Sequence, residues 1–244
     1  MPAFFIRSEQ IHHDRITLSG ELAHHLKASL RVQVGEEVLL TDERRWRYRT
    51  VAECTDPALT LHVIDHREGP AEHAPPLLLA QAILKGDHMD WVIQKASELG
   101  VHSIQPLIAL HGVVRPQPER IAGQLTRWRR IATEAAQQSE QWHSPRILEP
   151  VESKTFFSTT IPSRTLILLE RRSGMGLLTV PLPSGIEETV TLMVGPEGGW
   201  SEGEVEQAVQ RRLQPVTLGA QVLRAETAAV AAISILQCRW GRLG

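Results

Sequence analysis

Apolar and polar positions alternate in two different textures along the chain. Up to about residue 70, short period-two segments are punctuated by turn signals: Phe4-Phe5-Ile6, Ile16-Thr17-Leu18 before Ser19-Gly20, Glu36-Glu37-Val38-Leu39-Leu40, and Leu59 to Ile64. Short strands at this spacing, interrupted by one helix from Glu21 to Leu30, predict a small β-barrel. Residues 67–76 are polar and proline-bearing and read as a linker. From Leu77 the pattern changes to strands alternating with helices. Leu77 to Leu84 is apolar enough for a strand covered on both faces, while Met89, Val92, Ile93, Ala96 and Leu99 form a helical stripe that stops at Gly100. A strand follows near Ile104 to Ile108. A long helix from about Pro118 to Ser139 carries Ile121, Leu125, Trp128, Ile131 and Ala135 on its buried face, and Leu166–Leu169 and Thr189–Val194 supply further strands. Such interleaving predicts an α/β fold with a mostly parallel sheet and a ligand site at the C-terminal edge of its strands.

Two of those strand ends carry unusual chemistry. Val194 runs into Gly195-Pro196-Glu197-Gly198-Gly199-Trp200, and Pro215-Val216-Thr217-Leu218-Gly219 runs into Ala220-Gln221-Val222-Leu223-Arg224-Ala225-Glu226-Thr227 and an alanine-rich helix. The first bend lacks the Gly-x-x-x-x-Gly-Lys-Ser/Thr of a P-loop and the Gly-x-Gly-x-x-Gly of a dinucleotide fold, which disfavours nucleotide triphosphate chemistry. Its proline sets one φ angle and its glycines remove bulk, leaving backbone groups to meet a flat or zwitterionic ligand. An ordinary strand-to-helix turn is the plainer alternative. Ser201-Glu202-Gly203-Glu204 then reads as a capping box opening a helix that carries Val205, Ala208, Val209 and Leu213.

Composition narrows the classes. The chain has 244 residues, 42% of them hydrophobic, enough for one large or two modest domains. No apolar run is long enough to span a bilayer and no N-terminal apolar segment suggests secretion, so a cytoplasmic protein without membrane association is expected. Cys54 and Cys238 stand alone without metal-ligand spacing, and no metal is expected. A net charge of −2 excludes coating of nucleic acid by bulk electrostatics, so any RNA site is a local patch. The segment Glu43-Arg44-Arg45-Trp46-Arg47-Tyr48-Arg49 is the candidate: alternation places Arg45, Arg47 and Arg49 on one strand face and Trp46 and Tyr48 on the other. The competing reading is a solvated arginine face over two core aromatics.

The strings GPEGGWSEGEVEQA and VTLGAQVLRAETAAVAAISILQ, with KGDHMDW from Lys85, QKASELGV from Gln94 and EAAQQS from Glu134, resemble the RsmE family of 16S rRNA uridine N3-methyltransferases in the SPOUT superfamily. The resemblance is weak before residue 77 and strong after residue 190. It implies a trefoil-knotted SPOUT methyltransferase domain over residues 73–244, a PUA-like RNA-binding barrel over residues 1–72, a homodimer, and 16S rRNA of the small ribosomal subunit as substrate, at a decoding-region uridine. It implies S-adenosyl-L-methionine as cofactor, held by Leu192, Val194, Gly195, Glu197, Gly198, Gly199, Leu218, Gly219, Leu223 and Arg224. Arg7, Arg31, Arg45, Arg47, Arg49 and Lys85 become RNA-contact candidates, with His88 and Gln94 near the RNA entrance.

Methyl transfer to a uridine N3 needs the imide proton removed, or negative charge on the flanking carbonyls stabilised, beside an activated methyl. Arg224 is the candidate for that electrostatic role, and Glu226 for an orienting partner or helix first-turn anion. Two positions depart from the family pattern: Gln221 and Gln141 stand where many relatives carry arginine, and Arg127, Arg129 and Arg130 are candidates to compensate. The rivals are a catalytically silent RNA-binding assembly factor on the same fold and a dinucleotide-dependent oxidoreductase. The intact glycine and Arg224–Thr227 motifs oppose the first, and the missing dinucleotide fingerprint opposes the second.

Overall fold

The computed structural model describes residues 2–56, 58–160, 162–170, 174–183 and 185–243. It divides into two compact units: Met1–Ala71 with Ala136–Ser144, and Glu72–Ala135 with Pro145–Gly244.

In the first unit, strands β1 (Ala3–Phe5), β2 (Ile11–His12), β3 (Arg15–Leu18), β4 (Glu37–Thr41), β5 (Trp46–Cys54) and β6 (Leu59–Glu68) form one sheet in the order β1-β4-β5-β6-β3-β2. Every pair is antiparallel except β1 with β4. Period-two patterning turns Ile16, Leu18, Val38, Leu40, Leu59 and Leu61 into one apolar core, closed by Leu26. Leu26 lies on a helix that begins as α1 (Gly20–His24) and loosens into a π-helical turn over His25–Ser29.

The three arginines around β5 do not share one open face. Arg45 precedes the strand in a turn, with φ of 66°, and its guanidinium donates to the Pro70 carbonyl at 2.7 Å. Arg49 is exposed and faces Glu37 across the ladder at 3.3 Å. Arg47 is only 4% exposed: it lies 3.9 Å over the Trp142 ring and donates to the carbonyls of Glu140 and Gln141 at 2.9 and 3.0 Å. The expected solvated arginine face is therefore corrected, because residues 140–142 return from far along the chain to cover Arg47.

The second unit holds β7 (Leu77–Ala82), β8 (Ser103–Ile108), β9 (Arg146–Ile147), β10 (Val151–Glu152), β11 (Thr165–Leu168), β12 (Met175–Gly176), β13 (Val190–Val194) and β14 (Gln214–Thr217). They run in the order β10-β8-β7-β13-β11-β14-β12, with β9 also on β8, and every pair is parallel. Helices α2 (His88–Glu98), α3 (Pro118–Gln138), α4 (Ser153–Thr159), α5 (Glu202–Gln210) and α6 (Ala225–Arg239) follow in chain order. Alternation along β13 sends Val190, Leu192 and Val194 into a core with Val92, Ile93, Trp128 and Ile233, while Met193 faces a second core with Phe157, Val205 and Ala208. A sheet buried on both faces explains why these strands read as continuous apolar runs. Helix α2 is closed off just past its C-cap Leu99 by Gly100, whose φ of 72° lets the Val101 amide reach back to the Ala96 carbonyl at 3.1 Å.

Candidate functional site

Parallel strands deliver their C-terminal loops to one edge of a sheet, so the neighbours β13, β11 and β14 bring three chain segments together there. Between them lies a cavity of about 230 Å³. Its walls come from Leu168–Glu170 at the end of β11, from Val194 to Trp200 without Glu197 at the end of β13, and from Thr217 to Leu223 without Ala220 at the end of β14, with Ala225 and Ala228 of α6 beside them. The two glycine bends separated by about twenty residues of sequence thus face one another across a single site.

Local packing explains the glycines. A Cβ on Gly195 would lie 3.2 Å from the Trp200 indole, and one on Gly198 would lie 3.1 Å from His111 Cβ and 3.2 Å from its carbonyl oxygen. Gly199 has φ of 71° and closes the bend with its amide on the Pro196 carbonyl at 2.9 Å. The indole of Trp200 crosses to β11, donating from Nε1 to the Leu168 carbonyl at 3.1 Å, and takes Phe157 against its ring at 5.4 Å. In the second bend the Thr217 hydroxyl accepts the Gly219 amide at 3.3 Å.

Below the first bend sits a buried carboxylate. Glu204 is fully buried and completes the capping box of α5: Oε2 accepts the Ser201 amide at 2.8 Å and the Ser201 hydroxyl at 2.7 Å. Oε1 accepts the Ser153 hydroxyl at 2.5 Å and the Leu110 amide at 3.2 Å. Burial by itself would raise its pKa, but the bonds from Ser153, Ser201 and Leu110 together prevail and hold it below the ordinary value of 4.5. One anion thereby ties α5, α4 and the loop after β8 behind the cavity.

Of the residues singled out as cofactor contacts, Val194, Gly195, Gly198, Gly199, Leu218, Gly219 and Leu223 line the cavity. Leu192 is fully buried in the core beneath it. Glu197 and Arg224 are not among the lining residues. The Glu197 carboxylate accepts the Lys85 amide at 3.0 Å, bracing the bend against the chain leaving β7. Leu168, Leu169, Glu170, Trp200, Val222 and Ala225 were not anticipated as lining residues. For Leu168 to Glu170 the signal is the apolar strand Thr165–Leu168, which carries no glycine at its end to mark it, while Trp200, Val222 and Ala225 adjoin the two glycine bends.

Arg224 is the N-cap of α6; it is exposed, and its guanidinium has no hydrogen-bond or ion-pair partner among the described residues. In the first turn of the helix, Glu226 Oε1 lies 3.7 Å from His88 Nδ1 at the start of α2, while Oε2 is buried without a hydrogen-bond partner among the described residues. The first turns of α2 and α6 thus meet next to the cavity-lining Leu223, with Lys85 exposed nearby in sequence. Arg127 is held by Asp90 at 2.5 Å and Arg130 lies 3.7 Å from Glu134. Arg7 and Arg31 are exposed in the first unit.

The cavity suits a particular ligand chemistry. Among the described residues its lining holds one carboxylate, Glu170, and no lysine or arginine, which favours a cationic centre over a phosphate. Close-packed glycines admit a flat ring against backbone, beside the aliphatic side chains of Leu168, Val194, Val222 and Leu223. Among the described residues no cluster of His, Cys, Asp or Glu could hold a metal ion, and no helix is long and apolar enough to cross a membrane.

Comparison with known proteins places these features in context. The RNA methyltransferase domain family matches residues 71–237. The ribosomal RNA small subunit methyltransferase E of Synechocystis sp. is 32% identical, over 94% of this chain and 75% of its own. That of Bacillus subtilis is 27% identical over 90% of this chain and 88% of its own. The crystal structure of a ribosomal RNA small subunit methyltransferase E from Neisseria gonorrhoeae, bound to S-adenosyl methionine, is 32% identical, with a TM-score of 0.87 over 98% of each chain.

Proposed function

The chain belongs to the ribosomal RNA small subunit methyltransferase E family, and from that premise we propose that it transfers a methyl group from S-adenosylmethionine to N3 of a decoding-region uridine in 16S rRNA. The observation that carries the proposal is the meeting of both glycine bends over one cation-poor cavity at the ends of β11, β13 and β14. Related proteins solved with this cofactor support the cavity as its site.

When bound, the cofactor supplies a methyl activated by a sulfonium. Gly195, Gly198 and Gly199 let backbone approach the ligand, and Leu168, Val194 and Leu223 keep water from it. The unpartnered guanidinium of Arg224 stabilises negative charge on the uracil carbonyls as the N3 proton leaves. Glu226, beside His88, orients the base or receives that proton through the imidazole. Substrate capture falls to the first unit, read as a PUA-like barrel, and to Arg7, Arg31, Arg49 and Lys85. Arg47 retains only a structural part, because it is already buried. A trefoil knot in the second unit and a homodimer, both from family resemblance, and a cytoplasmic setting, from composition, complete the reading.

The test is transfer from labelled S-adenosylmethionine to small subunits lacking the modification, beside deproteinised rRNA, with the nucleoside identified by mass spectrometry. 3-Methyluridine that falls by about a hundredfold or more in Arg224→Ala, with S-adenosylhomocysteine affinity kept within a few fold, supports the assignment. Tight cofactor binding with no transfer to any ribosomal RNA overturns it in favour of a silent assembly factor.

A further inference from the structure

Alternation on β5 puts Trp46 and Tyr48 on the face opposite Arg47. The structure makes that face the more informative one. Both aromatics are only half-buried, and across the ladder His66 pairs with Tyr48. The three rings form a shelf: His66 stands 5.3 Å from Trp46 and 6.1 Å from Tyr48, stacked with the latter at 24°. The shelf is one wall of a cavity of about 390 Å³, whose other walls include Arg44, His13 and Val63.

The remaining wall is rigid. Asp42, 2% exposed, accepts the amides of Arg44 and Trp46 at 3.0 and 2.8 Å with one oxygen and the Tyr48 hydroxyl at 3.0 Å with the other. Glu43 is likewise spent on Ser8, accepting its amide at 2.9 Å and its hydroxyl at 2.5 Å. Asp42 in the cavity wall and Glu43 next to it in sequence are thus both occupied by protein donors. Arg44 keeps an exposed guanidinium with no side-chain partner among the described residues. A fixed aromatic shelf with one free cation at its rim is the arrangement that stacks a base and holds its phosphate, without reading a duplex.

We propose that this cavity binds one unstacked ribonucleotide of single-stranded RNA, its base on the Trp46–His66–Tyr48 shelf and its phosphate against Arg44. The assignment rests on the RNA-methyltransferase reading and deepens it. On β5 the face carrying Trp46 and Tyr48 stacks the base, and the buried Arg47 takes no part in capture.

The test uses the full chain and a labelled single-stranded dodecamer of mixed sequence, with the same sequence as a duplex, read by fluorescence anisotropy. Trp46→Leu and His66→Ala should each weaken the single strand about tenfold. Arg44→Ala should weaken it several fold and lower the slope of log affinity against log salt by about one. S-Adenosylhomocysteine affinity serves as the control on the second unit. Arg44 and His66 are exposed, so their variants keep the test decisive if Trp46→Leu disturbs folding. Single-strand affinity within twofold of wild type in Arg44→Ala and His66→Ala overturns the assignment, as does equal affinity for the duplex. Either result leaves the methyltransferase reading intact if methyl transfer persists. Failure of the wild-type chain to bind S-adenosylhomocysteine strikes that reading alone.

Discussion

Glu204→Gln isolates the anion behind the cavity with almost no change of shape. The carboxylate accepts four bonds, two backbone and two hydroxyl, in a fully buried place. A carboxamide offers one acceptor oxygen and one NH2 group. If its oxygen faces Ser201, the NH2 meets the Leu110 amide; if it faces Leu110, the NH2 meets the Ser201 amide. The serine hydroxyls can turn to accept, but one backbone N–H is left buried and opposed by another donor. Such a donor costs about 1–3 kcal/mol, and losing charge assistance in the remaining bonds adds about 1 kcal/mol, so a total of roughly 2–4 kcal/mol is expected at pH 7. The pH dependence has a defined sign. Because the folded pKa lies below 4.5, the contribution is fully present above 4.5 and is lost as pH falls through the folded value. The penalty of the substitution should therefore stay constant from pH 7 to about pH 5 and shrink at lower pH, as the wild-type carboxyl itself becomes neutral. Urea unfolding of both proteins across this range gives the penalty. Hydrogen exchange of peptides covering Leu110 and Ser201 reports the local loss. A penalty below about 1 kcal/mol at pH 7, or one that does not change down to pH 3, would refute the picture of a charged, fully bonded Glu204.

Three further outcomes follow from other parts of the structure. The chain has a single tyrosine, Tyr48, whose phenol is pushed up to about 12 by burial and by its bond to Asp42. Ultraviolet titration should find phenolate near that value instead of 10, and Asp42→Asn should bring it down. The stability from the neutral phenol is present below pH 10 and lost as pH rises through about 12. Arg47→Ala strips two carbonyls of their donor and removes the stack on Trp142, at a cost of roughly 2–4 kcal/mol, and Arg47→Lys should recover only part of it. Denaturant unfolding and exchange over residues 136–144 measure this. Gly198→Ala drives a Cβ into His111, so calorimetry should find S-adenosylhomocysteine affinity reduced by about tenfold or more while Gly203→Ala, with open space at its Cβ, changes little.

Much of the second unit was legible because its strands are buried on both faces and its helices on one. The apolar runs at Leu77–Leu84 and Thr189–Val194 and the stripe from Met89 to Leu99 correspond to β7, β13 and α2, and the Ser201–Glu204 capping box forms as read. The two glycine bends were also legible as tight turns, since positive φ at Gly199 and Gly219 and close approach at Gly195 and Gly198 demand glycine. What escaped depends on chain that returns from a distance. Periodicity put Arg47 beside Arg45 and Arg49, but only the fold brings Glu140, Gln141 and Trp142 over it. The wall at Leu168–Glu170 escaped because its lining uses backbone and aliphatic side chains at a strand end, with no residue type that advertises a site. The two-residue strands β9, β10 and β12 are too short to show any alternation, and the π-helical turn at His25–Ser29 has no sequence signature of its own.

The insertion of β13 between β7 and β11 also bears on how the molecule is made. Both flanking strands precede it in the chain, β7 by more than a hundred residues, so each keeps an open edge until residues 190–194 have emerged and slid between them. Parallel pairings of such long sequence separation are slow to form, and the exposed edges invite mispairing during the wait. One of the two bends that line the cavity hangs from this late strand, and the other follows β14, which arrives later still on the free edge of β11. The cavity is therefore complete only when both strands are seated, and a small molecule that binds there during synthesis or refolding favours the chain with both in place.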